Sequence, residues 1–296
     1  MGREERLRLS VIFLLLACCQ PARPMQRDSL FVVFWNVENF FDWRADGVSA
    51  SEGEFSAEGV RHWSKSRFYA KCNAVAKTLL LIAQEYGRLP DIVGFAEVEN
   101  AFVLRQLLGA TVLRKTDYAV VHYDSPDPRG IDCAMLYRKG SLNLVRSGPR
   151  HLYDSTGALM ATRDILVAEF DSLAVLVNHH PSKVGGKAGR RAVAMTRMLE
   201  LVDSLPQPRV LSVGDFNEDV WGAGGRGTIK YNGAWEKIDG SFSRGFEDVR
   251  ETVFDSPLLT VPDSSFGGSK PARTYSGLRY AGGISDHYPI AVMLYF

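Results

Sequence analysis

The sequence predicts one α/β domain in which two β-sheets are covered by helices, an α/β sandwich. Segments typical of β-hairpins and segments typical of βα units occur in the same chain, which indicates two sheets of mixed direction. After residue 30 the chain contains no second linker and no internal repeat at a short period. A chain of 296 residues, of which 46% are hydrophobic, is long and apolar enough to bury a full core.

The first part of the domain predicts two strands, two helices and a long polar loop. The strands are residues 30–35 and 91–96, and the loop covers residues 42–63. Apolar residues recur at helical spacing from residue 68 to residue 83, and a short helix is predicted at about residues 100–108. Because the loop is longer than most connections in compact domains, its length predicts a functional or lid role.

The rest of the chain is rich in strands and contains one more amphipathic helix. Apolar residues at helical spacing run from Met195 to Leu205. Asp171-Ser172 is typical of a hairpin turn, so the strands on either side of it are predicted to be antiparallel. The predicted strands are residues 118–122, 131–137, 142–145, 165–170, 173–177, 209–213, 235–242 and 290–296.

The charge balance argues against a strongly basic nucleic-acid platform. Lys and Arg number 35 and Asp and Glu number 34, so the net charge is close to zero. This favours mildly a small or accessible phosphate substrate over long duplex DNA, because nonspecific DNA binding depends on basic side chains. It does not exclude a nuclease, since a local groove can still be positive.

The N-terminus predicts a targeting segment. Three arginines precede an apolar run, residues 9–17, which is too short to span a bilayer. The run ends in Leu15-Leu16-Ala17-Cys18, which resembles a bacterial lipoprotein signal with Cys18 as the lipidated residue; an ordinary cleaved signal is the alternative. We therefore expect residues 1–25 to be a signal peptide with a tether, residues 26–296 to form the domain, and the protein to reside in the bacterial cell envelope, with a lipid anchor as its only membrane contact.

The two cysteines of the domain are predicted to be buried free thiols. Cys72 lies on a predicted helix face and Cys133 lies in a predicted strand. A disulfide in an oxidising envelope remains the alternative. No CxxC or Cys/His spacing for structural zinc is present.

Polar side chains follow several apolar strands at the point where each strand ends. Each of these side chains alone has an alternative explanation as a turn former or a helix cap, which is weakest for Asp215-Phe216-Asn217. Together they predict one polar site at the rim of a sheet, suited to metal-assisted attack of water on a phosphate ester. The segments that follow strands are Asn36, Glu97, Asn178-His179 and Asp215-Phe216-Asn217, and Asp286-His287 directly precedes the last apolar strand.

Chemical roles can be predicted for some of these residues. Glu97 is a candidate ligand of a hard cation such as Mg²⁺. Asp215 could orient or deprotonate a water molecule, and Asn217 could position that water or the phosphate. The adjacent histidines His179 and His180 point to opposite faces of a strand, so at most one serves the site.

An acidic residue inside a predicted apolar strand, Asp239, needs a partner, and His287 is the expected one. A carboxylate beside an imidazole fixes its tautomer and raises its pKa, so His287 could be protonated against a developing phosphorane charge. Arg129 and Arg163 flank strands, where guanidinium groups fit phosphate oxygens.

These segments, taken in order, resemble the endonuclease/exonuclease/phosphatase superfamily, which includes deoxyribonuclease I, exonuclease III, sphingomyelinases and inositol phosphatases. A loop with Asp42, Glu54, Phe55, Gly59 and Trp63 is similar to the bacterial envelope branch of that superfamily. The motifs that carry the resemblance are Trp35-Asn36, Ala96-Glu97-Val98, Arg129-Gly130-Ile131-Asp132, Asn178-His179, Gly214-Asp215-Phe216-Asn217, Ile238-Asp239 and Ser285-Asp286-His287.

The resemblance implies a deoxyribonuclease I-like four-layer α/β/β/α sandwich with two mixed sheets, and it implies a role for each matched residue. Asn36, Glu97 and Asp286 would hold a divalent cation, Mg²⁺ or Mn²⁺. Asp215 would activate water and Asn217 would position it; His179 and His287 would stabilise charge, with Asp239 behind His287; Arg129 and Arg163 would bind substrate phosphate. Two departures, His180 for the usual Trp and Lys183 for the usual Arg, bear on substrate preference.

The predicted function is metal-dependent hydrolysis of a phosphate ester, with a nuclease-like phosphodiesterase slightly favoured. A sphingomyelinase-like enzyme, a sugar-phosphate phosphatase and a non-catalytic binding relative are the alternatives. The expected partners are a phosphate-ester substrate, which nucleic acid could supply, and no second subunit.

Overall fold

The computed structural model describes residues 29–44, 51, 53–183, 188–219 and 227–296, and these form seventeen strands and three α-helices. The helices are α1 (Lys65–Tyr86), α2 (Ala101–Gly109) and α3 (Ala188–Ser204). The strands are β1 (Ser29–Phe40), β2 (Ile92–Val98), β3 (Tyr118–His122), β4 (Asp132–Arg138), β5 (Leu144–Arg150), β6 (Ile165–Phe170), β7 (Leu173–His179), β8 (Arg209–Asp215), β9 (Ile229–Tyr231), β10 (Ala234–Glu236), β11 (Asp239–Arg244), β12 (Asp248–Val253), β13 (Thr260–Pro262), β14 (Ser269–Pro271), β15 (Tyr275–Ser276), β16 (Arg279–Tyr280) and β17 (Ile290–Tyr295).

The first large sheet has six strands in the order β12, β17, β1, β2, β4, β3. One of its two central strands, β1, is parallel to β2 and antiparallel to β17. Phe31 and Val33 of β1 pack toward the helical side, whereas Val32 and Phe34 pack toward the other sheet. Because both faces of β1 are buried, its sequence is a continuous apolar run rather than an alternating one.

The second large sheet has five strands in the order β11, β8, β7, β6, β5. β6 and β7 are antiparallel, which confirms the predicted hairpin at Asp171-Ser172. β7 and β8 are parallel, and α3 connects them across the outer face of the sheet. The parallel pair matters for function, because it brings the carboxyl ends of β7 and β8 to the same edge.

Three layers of apolar side chains join the two sheets and the helices, so the predicted four-layer α/β/β/α sandwich is confirmed. One layer lies between the sheets, one under α1 and α2, and one under α3. Each fully buried Leu, Val or Phe side chain contributes roughly 1.5–3 kcal/mol to folding. Gly94 lets the sheets approach closely, since an added Cβ would lie 3.2 Å from the Val177 side chain.

The helices begin and end at recognisable capping residues. The Ser64 side chain accepts a hydrogen bond from the Arg67 N–H at the start of α1, and Gly87 ends the helix with φ +71°. The Asn100 side chain accepts one from the Val103 N–H at the start of α2. In the described part of the chain, no helix combines the length and apolarity that crossing a bilayer requires.

Some predicted elements differ in the structure. The prediction of a single strand at residues 235–242 was wrong. The segment contains two strands: β10 pairs with β9, and β11 belongs to the second large sheet. Asp239 is the first residue of β11 and not an interior residue of a strand. The predicted strand 142–145 is β5, which runs on to Arg150. The half-exposed edge strand β12 was missed, because its alternating charged sequence lacks an apolar run.

Cys72 and Cys133 are buried and unpaired, as predicted.

The described part of the long loop is packed, with Phe55 and Trp63 in the core under α1. The proposed lid role of that loop also involves residues 45–50 and 52, which lie outside the described residues. Residues 1–28, which include Cys18 and the predicted signal peptide, and residues 220–226 also lie outside the described residues.

Candidate active site

The carboxyl ends of the two parallel strand pairs meet at one rim of the sandwich. Asn36 and Glu97 come from β1 and β2 of the first sheet, and His179 and Asp215 end β7 and β8 of the second. Asn36, His179 and Asp215 lie on the strand faces that point toward the opposite sheet, in continuation of the apolar residues between the sheets. Residues from both sheets therefore form a single polar site.

Asp215 is at the centre of this site. Its Oδ2 accepts a hydrogen bond of 3.0 Å from the Asn36 side-chain amide and lies 3.6 Å from His179 Nε2 and 3.9 Å from His287 Nε2. Burial, followed by repulsion from Asp239, raises the pKa of Asp215 to about 7. A buried carboxylate with such a pKa is matched to accepting a proton near neutral pH.

The expected pairing of Asp239 with His287 is present. His287 Nδ1 lies 2.8 Å from Asp239 Oδ2, and both side chains are buried. Burial alone would lower the pKa of His287, but attraction by Asp239, the hydrogen bond to it, and attraction by Asp215 and Asp286 outweigh burial. The pKa of His287 is consequently well above its usual value, so the imidazole is a cation at neutral pH.

The other imidazole of the site has the opposite protonation. Burial, followed by repulsion from Arg163 and Arg129, lowers the pKa of His179 well below its usual value. His179 Nε2 lies 3.9 Å from Glu97 Oε1 as well as near Asp215. His180 points to the far side of the strand, where its ring packs edge-on against Phe216, so only His179 faces the site, as predicted.

The backbone is in a left-handed conformation at the strand ends that form the site. Of six non-glycine residues with positive φ among the described residues, four are Glu38, Asn39, Glu97 and Asn217. Between Asn36 and Phe40, β1 contains a bulge relative to β2, where three residues oppose one. Glu97 would otherwise point with Phe95 toward the helices; its φ of +64° reverses that direction. Such strain is typical of functional sites.

Asn217 is fixed on both sides by hydrogen bonds. Its N–H donates to Asp215 Oδ1 at 3.0 Å, and its side-chain amide donates to the His180 carbonyl at 2.9 Å. Gly214 lies within β8, which continues through Asp215. The glycine is required because Asn178 approaches closely: an added Cβ would lie 2.6 Å from the Asn178 Cβ.

The donor atoms fit a hard divalent cation. Glu97 Oε2 accepts a hydrogen bond of 2.8 Å from the Asn39 N–H, while Oε1 faces the site. Asp286 Oδ1 lies 3.9 Å from His287 Nε2, and the Ser285 hydroxyl ties this loop to the Asn36 carbonyl at 2.6 Å. Carboxylate and amide oxygens are the ligands that Mg²⁺ prefers.

Asp215, Asp239 and His287 also place ligand atoms within 4.8 Å of one another, as in a metal site. However, His287 already shares its Nδ1 with Asp239, and a protonated imidazole cannot ligate a cation. We therefore place the candidate cation on the Glu97 side of Asp215, with Asn36 and Asp286.

The two predicted phosphate-binding arginines share a carboxylate, that of Asp127. Arg129 Nε lies 3.3 Å from Asp127 Oδ1, and Arg163 Nη1 lies 3.0 Å from Oδ2. The Arg129 side chain is half exposed, whereas Arg163 is buried and donates to the carbonyls of His179 and His180. This arrangement favours a role for Arg163 in supporting residue 179; contact of either arginine with phosphate stays a prediction.

A second cluster of charged residues lies beside the site and was not predicted from the sequence. The buried Glu38 accepts hydrogen bonds from the Thr274 N–H at 2.8 Å and from Arg273 Nε at 3.3 Å. The ammonium group of Lys71, from α1, donates to the Glu38 carbonyl and to Thr274 Oγ1. Lys71 could have been found, because it lies on the same face of the helical pattern as Phe68 and Val75.

The sandwich of two sheets, with carboxylate and amide oxygens at one rim, matches the superfamily that the sequence resembles. The comparison with family models agrees. The model of the endonuclease/exonuclease/phosphatase family matches residues 31–238, so the chain belongs to this family. No curated protein matches the sequence significantly.

Solved structures share the fold at low sequence identity. A humanized D. rerio TDP2 is 17% identical, with a TM-score of 0.56, over 91% of this chain and 100% of that one. A mannosyl-6-phosphatase of Bacteroides thetaiotaomicron is 18% identical, with a TM-score of 0.53, over 90% and 100%. The human Nocturnin catalytic domain with bound sulfate is 15% identical, with a TM-score of 0.51, over 93% and 100%. These identities establish likeness of fold.

Proposed function

We propose that this protein is a hydrolase of phosphate esters that depends on a divalent cation, Mg²⁺ or Mn²⁺. The observation that carries the proposal is the position of Asp215, a buried carboxylate in contact with Asn36 and Asn217 and close to two imidazoles of opposite protonation. Groups whose pKa values are pushed in different directions within one small site are typical of acid–base catalysis.

Each residue has a role in this proposal. Asn36, Glu97 and Asp286 would hold the cation, which when bound would act as a Lewis acid on a phosphate oxygen. Asp215 accepts a proton from the attacking water, which Asn217 helps to position. His287, kept protonated by Asp239 at Nδ1, donates a hydrogen bond from Nε2 to a phosphorane oxygen that carries the developing negative charge, and neutral His179 adds a further donor.

Within this reaction class we favour phosphodiester hydrolysis of the nuclease type. One structure of similar fold is D. rerio TDP2 complexed with a single strand DNA product, at 16% identity and a TM-score of 0.55. The mannosyl-6-phosphatase of similar fold supports the competing proposal of a sugar-phosphate phosphatase. A substrate panel decides between them: plasmid and single-stranded DNA, sphingomyelin, and a sugar phosphomonoester, each with and without Mg²⁺.

The test of the mechanism is the Asp215→Asn variant on whichever ester is hydrolysed. We expect kcat to fall by roughly 10²–10⁴-fold, because the proton acceptor is lost. Asp203→Asn removes the same charge at an exposed position of α3 and should leave kcat unchanged. Absence of Mg²⁺-dependent hydrolysis of every ester in the panel would leave only the alternative of a non-catalytic binding relative.

We also propose that Cys18 carries a lipid that anchors the domain to the bacterial envelope. The support is the sequence Leu15-Leu16-Ala17-Cys18 after an apolar run. In a bacterial host, the full chain should incorporate labelled palmitate and the Cys18→Ser chain should not. Release of both chains as the same unlabelled product would instead indicate an ordinary cleaved signal.

A further inference from the structure

Arg273 joins two acidic side chains beside the proposed cation site. Its Nη2 donates to Asp286 Oδ2 at 2.6 Å, and its Nε donates to Glu38 Oε1 at 3.3 Å. The Arg273 side chain is 49% exposed, so part of the guanidinium group that the two carboxylates hold remains accessible to solvent. Among the described residues, its Nη1 group has no hydrogen-bond acceptor.

Both carboxylate oxygens of Glu38 already accept hydrogen bonds in this arrangement. Arg273 occupies its Oε1 and the Thr274 N–H occupies its Oε2, at 2.8 Å. The Lys71 ammonium lies behind the same segment, bonded to the Glu38 carbonyl and to Thr274 Oγ1. A second divalent cation between Glu38 and Asp286 would have to displace the guanidinium, whereas Glu97 Oε1 remains available to a first one.

We propose that the site binds a single divalent cation and that Arg273 supplies the second positive charge, binding a non-bridging phosphate oxygen of the substrate through Nη1. This inference rests on the proposed phosphoesterase function. A guanidinium held by two carboxylates is preorganised, and its forked donors match phosphate oxygens better than an ammonium group does. Asp286 then has two roles, with Oδ1 toward the cation and Oδ2 on Arg273.

The first measurement counts cations without reference to activity. Calorimetric titration with Mn²⁺ of the Asp124→Asn chain, which lacks one ligand of the separate His122, Asp124 and Asp132 cluster, should give one site per chain. Two Mn²⁺ ions of similar affinity would overturn the proposal, because the second would need the position of Arg273. This measurement remains decisive even if no phosphate ester in the panel is hydrolysed, which would count against the proposed function instead.

The second measurement tests the phosphate contact. With saturating Mg²⁺, Arg273→Gln should lower kcat/KM by roughly 10²–10³-fold and weaken inhibition by inorganic phosphate at least tenfold. Arg273→Lys, which keeps the charge but loses the fork, should recover part of both. Arg250→Gln is the matched control, since Arg250 is an exposed arginine paired with an aspartate on β12. Phosphate inhibition unchanged in a folded Arg273→Gln protein would refute the contact.

Discussion

The two histidines of the candidate site have the same side chain and opposite protonation, and their neighbours explain the difference. His287 has a carboxylate at 2.8 Å and two others nearby, so attraction outweighs the cost of burying its charge. His179 is equally buried, but Arg163 and Arg129 add to the effect of burial. A proton donor and a neutral imidazole are thus available at the same pH.

The Asp239→Asn variant tests this account through the pH dependence of kcat/KM. In the wild-type protein, activity should rise as Asp215 ionises around pH 7 and fall on the alkaline side as His287 loses its proton. Asp239 raises the pKa of both groups, so its neutralisation should move both limbs of the profile to lower pH.

The measurement is the full pH–rate profile of both proteins at saturating Mg²⁺, with Asp203→Asn as a control for loss of one negative charge. An alkaline limb that stays in place in Asp239→Asn would show that Asp239 does not set the protonation of His287.

At the scale of elements, the parallel pair β7 and β8 positions His179 and Asp215 next to each other in register. Gly214→Ala should disturb this pair, because the added Cβ would lie 2.6 Å from the Asn178 Cβ and 2.7 Å from its carbonyl oxygen. Overpacking of this kind destabilises by roughly 1–3 kcal/mol. Activity should fall further than stability alone accounts for, since Asp215 is the next residue.

Gly109→Ala is the matched control for that substitution. An added Cβ at this position, the last residue of α2, meets no atom within 4 Å. The change should be neutral or stabilising by up to about 1 kcal/mol. Urea unfolding of both variants, with residual activity measured under native conditions, separates the two cases. Equal stability of the two glycine variants would mean that β8 moves away from Asn178 at little cost.

The elements that the sequence predicted well are those with long apolar runs. β1, β2, β7 and β8 are buried on both faces, so their runs and the polar residues that end them were visible. β10 and β11 were merged, because Trp235 and Ile238 suggested one apolar run where the chain leaves a small hairpin and enters the second sheet. Periodicity does not show which sheet a short strand joins.

The residues of the candidate site also divide into those that the sequence predicted and those that it did not. The residues at strand ends were predicted, together with the pairing of Asp239 and His287. Arg273 and Thr274 were not, since they lie in a loop between short strands and reach Glu38 only through the tertiary fold. Glu38 was also not predicted, because the bulge that turns this part of β1 has no sequence signature apart from its polar residues.

At the scale of the whole molecule, the site depends on how the two sheets lie relative to each other. The first sheet supplies Asn36 and Glu97, the second supplies His179, Asp215 and Asp239, and the loop before β17 supplies Asp286 and His287. A cation held by these residues binds only the folded chain, because unfolding separates its ligands. Binding should therefore stabilise the entire sandwich.

Mg²⁺ should consequently raise the melting temperature of the wild-type protein. At a concentration about 100 times Kd the stabilisation is about 2.7 kcal/mol, which corresponds to a rise of roughly 5–10 °C for a domain of this size.

Glu97→Gln should abolish hydrolysis and most of this rise in melting temperature, since it removes a carboxylate ligand. Without metal, its melting temperature should stay close to that of the wild type, because glutamine keeps an acceptor for the Asn39 N–H. Glu200→Gln, at an exposed position of α3, controls for the lost charge and should retain the full Mg²⁺ effect. If Glu97→Gln melts without metal as early as a core-cavity variant, Glu97 serves the fold rather than the cation, and the two sheets need no ion to hold their rims together.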